Sequence, residues 1–376
     1  MINMETKYVY FETYGCQANK NNTEIMKGLV RQAGLEITNN PDVADILIIN
    51  TCIVKEPTEK KIERRISDLI KLYPKKPLII AGCMPQVRKI KQENIFLLGT
   101  HHIKDITKLI RKIYENKVDE DFVSERNEEK LCLPKIPEKR DVGITQISEG
   151  CVGNCTFCIT RLAKGKLFSY SEEKILKNIK NDLQSGAKEI WITSQDNAAY
   201  GLDKGKRKLP DLLRKILSLK GKFKVRVGMM NPENVLPILD ELVEIYKHKK
   251  MKKFLHIPVQ SGSNKILKLM NRRYKVEDFI KIVDSFKKEI PDLTLWTDII
   301  VGFPGETEKD FEESLNLVKK IKPSFINISR FWVRKGTPAE KMKQLPQQEV
   351  KKRVKKLISL FKEIKASKFC HNSNQL

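Results

Sequence analysis

Glu149-Gly150-Cys151-Val152-Gly153-Asn154-Cys155-Thr156-Phe157-Cys158 carries three cysteines at Cys-x3-Cys-x2-Cys spacing. One short loop with that spacing can wrap a 4Fe–4S cluster. A cubane cluster has four irons and usually takes four thiolate ligands. Three close cysteines leave one iron open, and an open iron can bind a cofactor. A structural zinc loop or three free thiols are the alternatives, although zinc sites usually read as paired Cys-x2-Cys units. Gly153 permits a tight backbone turn beside a sulfur, and Asn154 and Phe157 shape the rest of the loop.

The loop follows a strand candidate, Ile144–Ser148, so it opens at the carboxyl end of that strand. Further candidates continue downstream at Glu189–Thr193, Lys224–Gly228, Phe254–Val259, Thr294–Val301 and Phe325–Arg330. Helical patterns separate them, for example at Glu172–Gln184, Val235–Lys247 and Lys309–Lys320. Six strands with crossover helices predict a partial (β/α)6 barrel, with little room for eight complete units. Functional residues on the later strands should then face the same mouth.

Upstream, residues 1–115 alternate short apolar runs with helical patterns. Strands are expected at Tyr8–Thr13, Ile46–Asn50, Leu78–Gly82 and Ile95–Gly99, and helices near Thr23–Ala33, Thr58–Leu72 and Lys104–Tyr114. This alternation predicts an open, mostly parallel α/β sheet. Cys16, Cys52 and Cys83 each sit just past one of its first three strands. The carboxyl ends of such strands form the ligand crevice, so three thiols far apart in sequence converge on one rim and could hold a second cluster. The alternative for each is a small buried hydrophobe, common for free cysteine.

Residues 116–140 are rich in charge and interrupted by Pro134 and Pro137, and they read as a linker or extended connection. The barrel is expected over 141–345. Residues 346–376 form a basic helix and tail. In it Lys351, Lys352, Arg353, Lys355, Lys356, Lys362, Lys365 and Lys368 flank an apolar stripe of Val350, Val354, Leu357, Ile358 and Phe361. Either that face is merely solvated or it tracks RNA phosphates.

The chain has 376 residues and a formal charge of +25, enough for two or three domains and compatible with a polyanionic partner. No stretch approaches the roughly 18 consecutive apolar residues of a membrane span. The N-terminus enters a strand pattern directly, without an export signal. A cytoplasmic protein is therefore expected, and its eight cysteines read as metal ligands or catalytic groups rather than disulfides.

Taken together, these motifs resemble the methylthiotransferase family of radical S-adenosylmethionine (SAM) enzymes. Tyr14-Gly15-Cys16-Gln17-Ala18-Asn19 is similar to the family's opening motif, followed by Asn50-Thr51-Cys52, Ala81-Gly82-Cys83 and the Cys151 loop. His256-Ile257-Pro258-Val259-Gln260-Ser261-Gly262-Ser263, Met270-Asn271-Arg272-Arg273-Tyr274, the stretch from Thr297 to Thr307 and Arg334-Lys335-Gly336-Thr337-Pro338-Ala339 complete the series in the family's order. Thr193 to Gly201 and Arg226 to Pro232 most resemble the archaeal and eukaryotic-type branch. That branch adds a methylthio group at carbon 2 of N6-threonylcarbamoyladenosine beside the tRNA anticodon. Sister branches act on isopentenyladenosine in tRNA or on an aspartate of a ribosomal protein. A non-catalytic iron–sulfur RNA-binding protein is the reading from another class.

The resemblance implies two 4Fe–4S clusters and SAM. Cys151, Cys155 and Cys158 would hold the cluster that cleaves SAM to a 5′-deoxyadenosyl radical. Cys16, Cys52 and Cys83 would hold an auxiliary cluster whose open iron takes the sulfur to be transferred. Phe157 would lie near the cluster or the adenine of SAM. Ser194, Gln195 and Asp196, Gln260 and Ser261, and Asp298 would offer polar groups at strand ends, and Arg330 a cation for a carboxylate. His256 reads as structural. Partners would be tRNA, an electron donor and a sulfur donor, with the chain acting as a monomer. Family members usually carry a small RNA-binding β-barrel after the barrel domain, and no such module is expected here.

Overall fold

The computed structural model describes residues 7–119 and 121–373, with side chains through residue 367. It forms two compact units: residues 1–151 with 159–193, and residues 152–158 with 194–376.

The first unit is built on a five-stranded parallel sheet of β1 (Tyr8–Thr13), β2 (Glu36–Thr38), β3 (Ile46–Thr51), β4 (Leu78–Gly82) and β5 (Ile95–Gly99). Its strand order is β2-β1-β3-β4-β5. β3 is buried along its whole length, as expected of a central parallel strand covered on both faces. Side chains alternate across such a strand. Ile46 and Ile48 therefore join one core, with Ile25, Met26 and Leu109 from the helices Gln17–Gln32 and Ile106–Tyr114. Leu47 and Ile49 join the other, with Ile62, Ile66 and Leu69 from the helix Glu56–Leu72.

Four of these strands lie where the apolar runs predict them. β2 carries only three residues and no strong signal. The first helix starts at Gln17, six residues before its expected start. Its opening turns hold Asn19, Asn21 and Asn22, which are poor helix formers but are buried here. Asn19 donates to the Thr51 and Tyr14 carbonyls, while Asn50 donates to the Asn19 carbonyl and to Thr23 Oγ1. Tertiary hydrogen bonds thus hold a helix that propensity alone would begin later.

Residues 116–140 contain no helix among those described, yet the connection is pinned. Phe122 bridges Leu98 and enters the sheet core, and Lys130 and Leu131 are buried. The unit continues with β6 (Val142–Gln146), then β7 (Ser148–Glu149) and β8 (Phe168–Ser169), which form a small antiparallel ribbon. β9 (Glu189–Thr193) runs parallel to β6, and the helix Glu172–Gln184 connects them.

The second unit carries β10 (Lys224–Val227), β11 (Phe254–His256), β12 (Thr294–Val301) and β13 (Phe325–Arg330); the last three pair in parallel in that order. The expected helix over 235–247 is split into Pro232–Val235, a 3-10 turn Leu236–Ile238 and Leu239–Tyr246. Pro237 lacks the N–H that a continuous helix needs.

The helix Gln347–Ser373 covers the basic C-terminal segment, and its faces differ from the expected ones in three respects. Its buried line is Val350, Leu357 and Ile364, whereas Ile358 is 39% exposed. Arg353 is buried and paired with Glu306 at 2.8 Å and Glu349 at 3.0 Å, so it does not belong to the open basic face. Lys356 is engaged by Glu312 at 3.0 Å. The Lys368 side chain lies outside the described residues.

Candidate active site

Strand register brings the first cysteine triad together. Thr13 of β1 stands opposite Asn50 of β3, and Thr51 of β3 opposite Gly82 of β4. The three neighbouring strands therefore end level, and Cys16, Cys52 and Cys83 follow at those ends. Gly15 has φ +108°, and a Cβ there would lie 2.7 Å from Cys52 Cβ and 3.0 Å from its sulfur. Only glycine lets the Cys16 turn come that close to Cys52.

Asn19 clips the three turns to one another. Besides the two carbonyls it binds, its Oδ1 accepts from the Cys83 thiol at 3.7 Å. The Cys83 N–H donates to the Thr51 carbonyl at 3.1 Å. The sequence motif contains Asn19, but spacing alone assigns it no task.

Cys52 and Cys83 are each 5% exposed, and Cys16 is exposed. Burial pushes the Cys52 thiol up and the Cys83 thiol to about 12, opposed by the Lys164 ammonium. Among the described residues no three Cys, His, Asp or Glu side chains are arranged to grip a single metal ion. A cubane asks for something else, because each thiolate binds a different iron and the sulfurs stand farther apart. Three soft thiols on one rim, with a cation beside them, fit an anionic iron–sulfur cluster.

That cation belongs to a buried charged group in the same unit. Lys164, which ends the short helix Thr160–Lys164, lies 2.7 Å from Glu149 Oε1 and also donates to Thr100 Oγ1. Lys130 donates to both Glu149 oxygens, at 2.6 and 2.8 Å. All three charged side chains are 4% exposed or less. Burial pulls Lys130 down to about 8 against the attraction of Glu149. For Lys164 burial is outweighed by Glu149 and Cys83, and its charge is held. Burial would raise Glu149, but the two lysines hold it ionised. His101, with neither ring nitrogen hydrogen-bonded, is kept neutral by burial.

The second triad lies on the loop through which the unit boundary runs. Cys151 belongs to the first unit, where its N–H donates to the Gly165 carbonyl at 3.3 Å and its carbonyl accepts from Arg161 at 3.3 Å. Gly150, at φ +77°, packs so tightly on the Lys166 carbonyl that a Cβ would come within 1.9 Å of its oxygen. Cys155 and Cys158 belong to the second unit and are joined by a turn in which the Cys158 N–H donates to the Cys155 carbonyl.

Arg272 reaches to 3.4 Å from the Cys155 sulfur while donating to the Pro258 carbonyl and the Tyr274 hydroxyl. Burial raises the Cys155 thiol and this guanidinium opposes it. Arg272 falls in a quoted motif, but its approach to a cysteine over a hundred residues away is a tertiary fact. Thr156, between the two cysteines, is tied to the Met270 and Leu269 carbonyls.

The remaining predicted residues divide by whether their polar atoms are used. Ser194 Oγ and Gln195 Oε1, just past β9, are buried without a hydrogen-bond partner, the situation a polar ligand would resolve. Asp196 is different: it is 2% exposed, and its oxygens accept from the Ala198 and Asn231 amides and from Asn234 Nδ2. Burial lifts its carboxyl to about 6. Asp298 Oδ2 lies 2.6 Å from His256 Nε2, and its Oδ1 accepts from Asn327 at 2.5 Å.

Ser261 is buried, with its hydroxyl oxygen accepting from the Ser263 N–H. Gln260 has φ +70° and is locked by backbone bonds to Asp298 and Ile300. The Arg330 guanidinium stacks 4.2 Å over Trp332. Phe157 packs edge-on against Phe303, with Ile266 and Met270, so its ring forms part of an apolar cluster.

Comparisons with known proteins agree with this architecture. The model of the Radical SAM superfamily matches residues 145–318, and that of the uncharacterized protein family UPF0004 matches residues 8–99. The chain is 45% identical over 352 residues to the probable threonylcarbamoyladenosine tRNA methylthiotransferase of Pyrococcus horikoshii, covering 92% of this chain and 81% of that protein. It is 40% identical to the Methanocaldococcus jannaschii protein of the same description, over 95% of this chain and 83% of the other. The human threonylcarbamoyladenosine tRNA methylthiotransferase is 36% identical over 94% of this chain and 62% of its own length.

Among solved structures, the radical S-adenosylmethionine methyltransferase TsrM of Kitasatospora setae, with cobalamin and a 4Fe–4S cluster bound, superposes with a TM-score of 0.62. The match has 12% identity and covers 89% of this chain and 74% of that one. The cobalamin-dependent radical enzyme OxsB gives 0.60 at 15% identity, over 94% and 56%. At such identities the likeness concerns the fold alone: an N-terminal open α/β sheet followed by a partial radical SAM barrel.

Proposed function

The chain belongs to the threonylcarbamoyladenosine tRNA methylthiotransferases, radical SAM enzymes that modify tRNA, and on that footing we propose how its residues divide the work. The reaction places a methylthio group on carbon 2 of N6-threonylcarbamoyladenosine, an unactivated aromatic position on which acid–base chemistry has little purchase. Cofactors therefore carry the hard step, and the protein binds, orients and excludes water.

Cys151, Cys155 and Cys158 would hold one 4Fe–4S cluster, and Cys16, Cys52 and Cys83 would hold the auxiliary one. When bound, the first supplies the electron that cleaves SAM and the second an open iron for the sulfur. Ser194 Oγ and Gln195 Oε1 take polar groups of SAM, and Arg330 and Gln260 offer further contacts at strand ends. Asp196, Asp298 and Ser261 act through their hydrogen bonds, fixing the loops that present those contacts. Arg272 keeps Cys155 in place, Asn19 does the same for the first triad, and Phe157 walls the cluster loop.

The tRNA partner meets a strongly basic chain, and Lys351, Lys352, Lys355, Lys362 and Lys365 lie along the open side of the C-terminal helix. A base must leave its stack before chemistry can reach its edge. A separate electron donor and a sulfur donor complete the reaction, with a cytoplasmic monomer as the working form. No helix among the described residues is long and apolar enough to cross a membrane.

The level ends of β1, β3 and β4, which gather three cysteines distant in sequence, carry the two-cluster reading. Anaerobic reconstitution of wild type and Cys83→Ser, followed by iron counting and nucleoside mass spectrometry of the tRNA, tests it. The variant is expected to lose about half its iron and all methylthio product while still cleaving SAM. Unchanged iron and product in Cys83→Ser would remove the auxiliary cluster from the mechanism.

A further inference from the structure

Lys130, Lys164 and Glu149 form a sealed group with one more positive than negative charge. Buried charges are ordinarily paired, because an uncompensated ion away from water is very costly. His101 is neutral and Thr100 contributes only a hydroxyl, so neither offsets the surplus.

A buried place for a compensating anion is the cysteine rim; the Glu125 carboxylate, packed on Gly165, is exposed to water. Cys83 packs against Ile53, Ile159 and Ala163, and Lys164 is the next residue along that helix. The Lys164 ammonium opposes the burial of the Cys83 thiol and, more weakly, that of Cys52. Three thiolates around the dipositive core of an oxidised cubane leave a single net negative charge. The surplus cation and that anion match in magnitude and are opposite in sign.

We propose that Lys164 is a positioning residue for the auxiliary cluster: its buried charge, anchored by Glu149 and Thr100, neutralises the cluster at Cys16, Cys52 and Cys83 and sets its reduction potential. This rests on the assignment of those cysteines as ligands under the proposed function. Reduction adds an electron to the cluster, so a fixed positive charge beside it favours the reduced state. Hydrogen bonds, net charge and burial are the means by which a protein tunes such potentials.

The test uses the full chain with Cys151, Cys155 and Cys158 replaced by alanine, so that only the auxiliary cluster is loaded. Its midpoint potential is read by redox titration followed by electron paramagnetic resonance. Lys164→Met is expected to disfavour reduction at least tenfold, a fall of about 59 mV for one electron. Glu149→Gln removes the anion beside Lys164 and is expected to shift the potential upward in titrations carried down to acid pH, where Lys130 keeps its proton without that partner. Lys164→Arg should restore the wild-type value, and Thr100→Val, which removes a hydrogen bond but no charge, should leave it unmoved.

Opposite shifts in Lys164→Met and Glu149→Gln would establish the charge role, since a merely structural role gives no reason for opposite signs. If Lys164→Met does not retain iron, the upward shift of Glu149→Gln decides. Potentials that are equal in all variants, or that fall together, would overturn this inference and leave the ligand assignment standing. Failure of the parent chain to hold any iron would overturn both.

Discussion

Asp196 shows how a residue chosen for its chemistry is claimed by its surroundings. Burial lifts its pKa from 3.8 to about 6, against the hydrogen bonds from Asn231 and Asn234, which favour the charged form. At 1.36 kcal/mol per unit, keeping it ionised costs about 3 kcal/mol of stability. A raised folded-state pKa means the native form holds the proton more tightly. Its contribution is therefore complete below about pH 4 and is lost as pH rises through about 6. The unfolding free energy of wild type minus that of Asp196→Asn, in the metal-free protein, should fall by that amount between pH 4 and 7. A difference that does not vary with pH would mean the carboxylate is ionised throughout. Arg272 makes a second residue-scale case. Arg272→Met leaves Cys155 without the guanidinium that opposes its raised pKa. Alkylation of Cys155 at pH 8, followed by peptide mass spectrometry, should slow several-fold, with the melting temperature as a check on folding; an unchanged rate would deny Arg272 any hold on that thiol.

At the scale of elements, turn geometry decides where the site residues stand. Gly15 and Gly150 allow close approaches that any side chain would block, which places Cys16 and Cys151. Gly302, just past β12, plays the same part for the C-terminal helix. It has φ +79°, and a Cβ there would sit 2.5 Å from Val350 Cγ2. Gly302→Ala should destabilise by about 1–3 kcal/mol from left-handed strain and the clash together. Adding Val350→Ala removes the clash but not the strain, so the double variant should lose less than the sum of the singles. Strict additivity in denaturant unfolding would show that the helix does not press on this turn. The same helix illustrates the limits of reading a face from charge. Val350, Leu357 and Ile364 repeat every seven residues along its buried side, and Arg353 lies with them because Glu306 offers it a buried partner.

Over the whole molecule, the charge of +25 gives tRNA affinity a steep dependence on salt. Reversing Lys351, Lys352 and Lys355 to glutamate should reduce the slope of log affinity against log salt by roughly two to three units if each meets a phosphate. An unchanged slope would place the tRNA elsewhere on the protein. Much of the architecture was legible beforehand, because a parallel strand covered on both faces must be an apolar run and a crossover helix must be amphipathic. Those local rules locate β1, β3, β4, β5, β9, β12 and β13 to within a residue. They miss β2, too short to show a pattern, and the early start of the first helix, where Asn19 finds its partners in the Tyr14 and Thr51 carbonyls. They also pass over Lys164, Glu149, Asn19 and Arg272. A lysine in a sequence reads as surface; only the fold shows that Thr100 and Glu149 wait for it in the interior. The sequence by itself thus determined the family, through a series of motifs in a characteristic order, and most of the order of elements, which hydrophobic periodicity sets. The tertiary structure alone decided which polar groups are already spent on one another, which stay open for a ligand, and where a buried charge stands beside a thiol. Those are matters of distance through space, and the order of residues along the chain does not fix them.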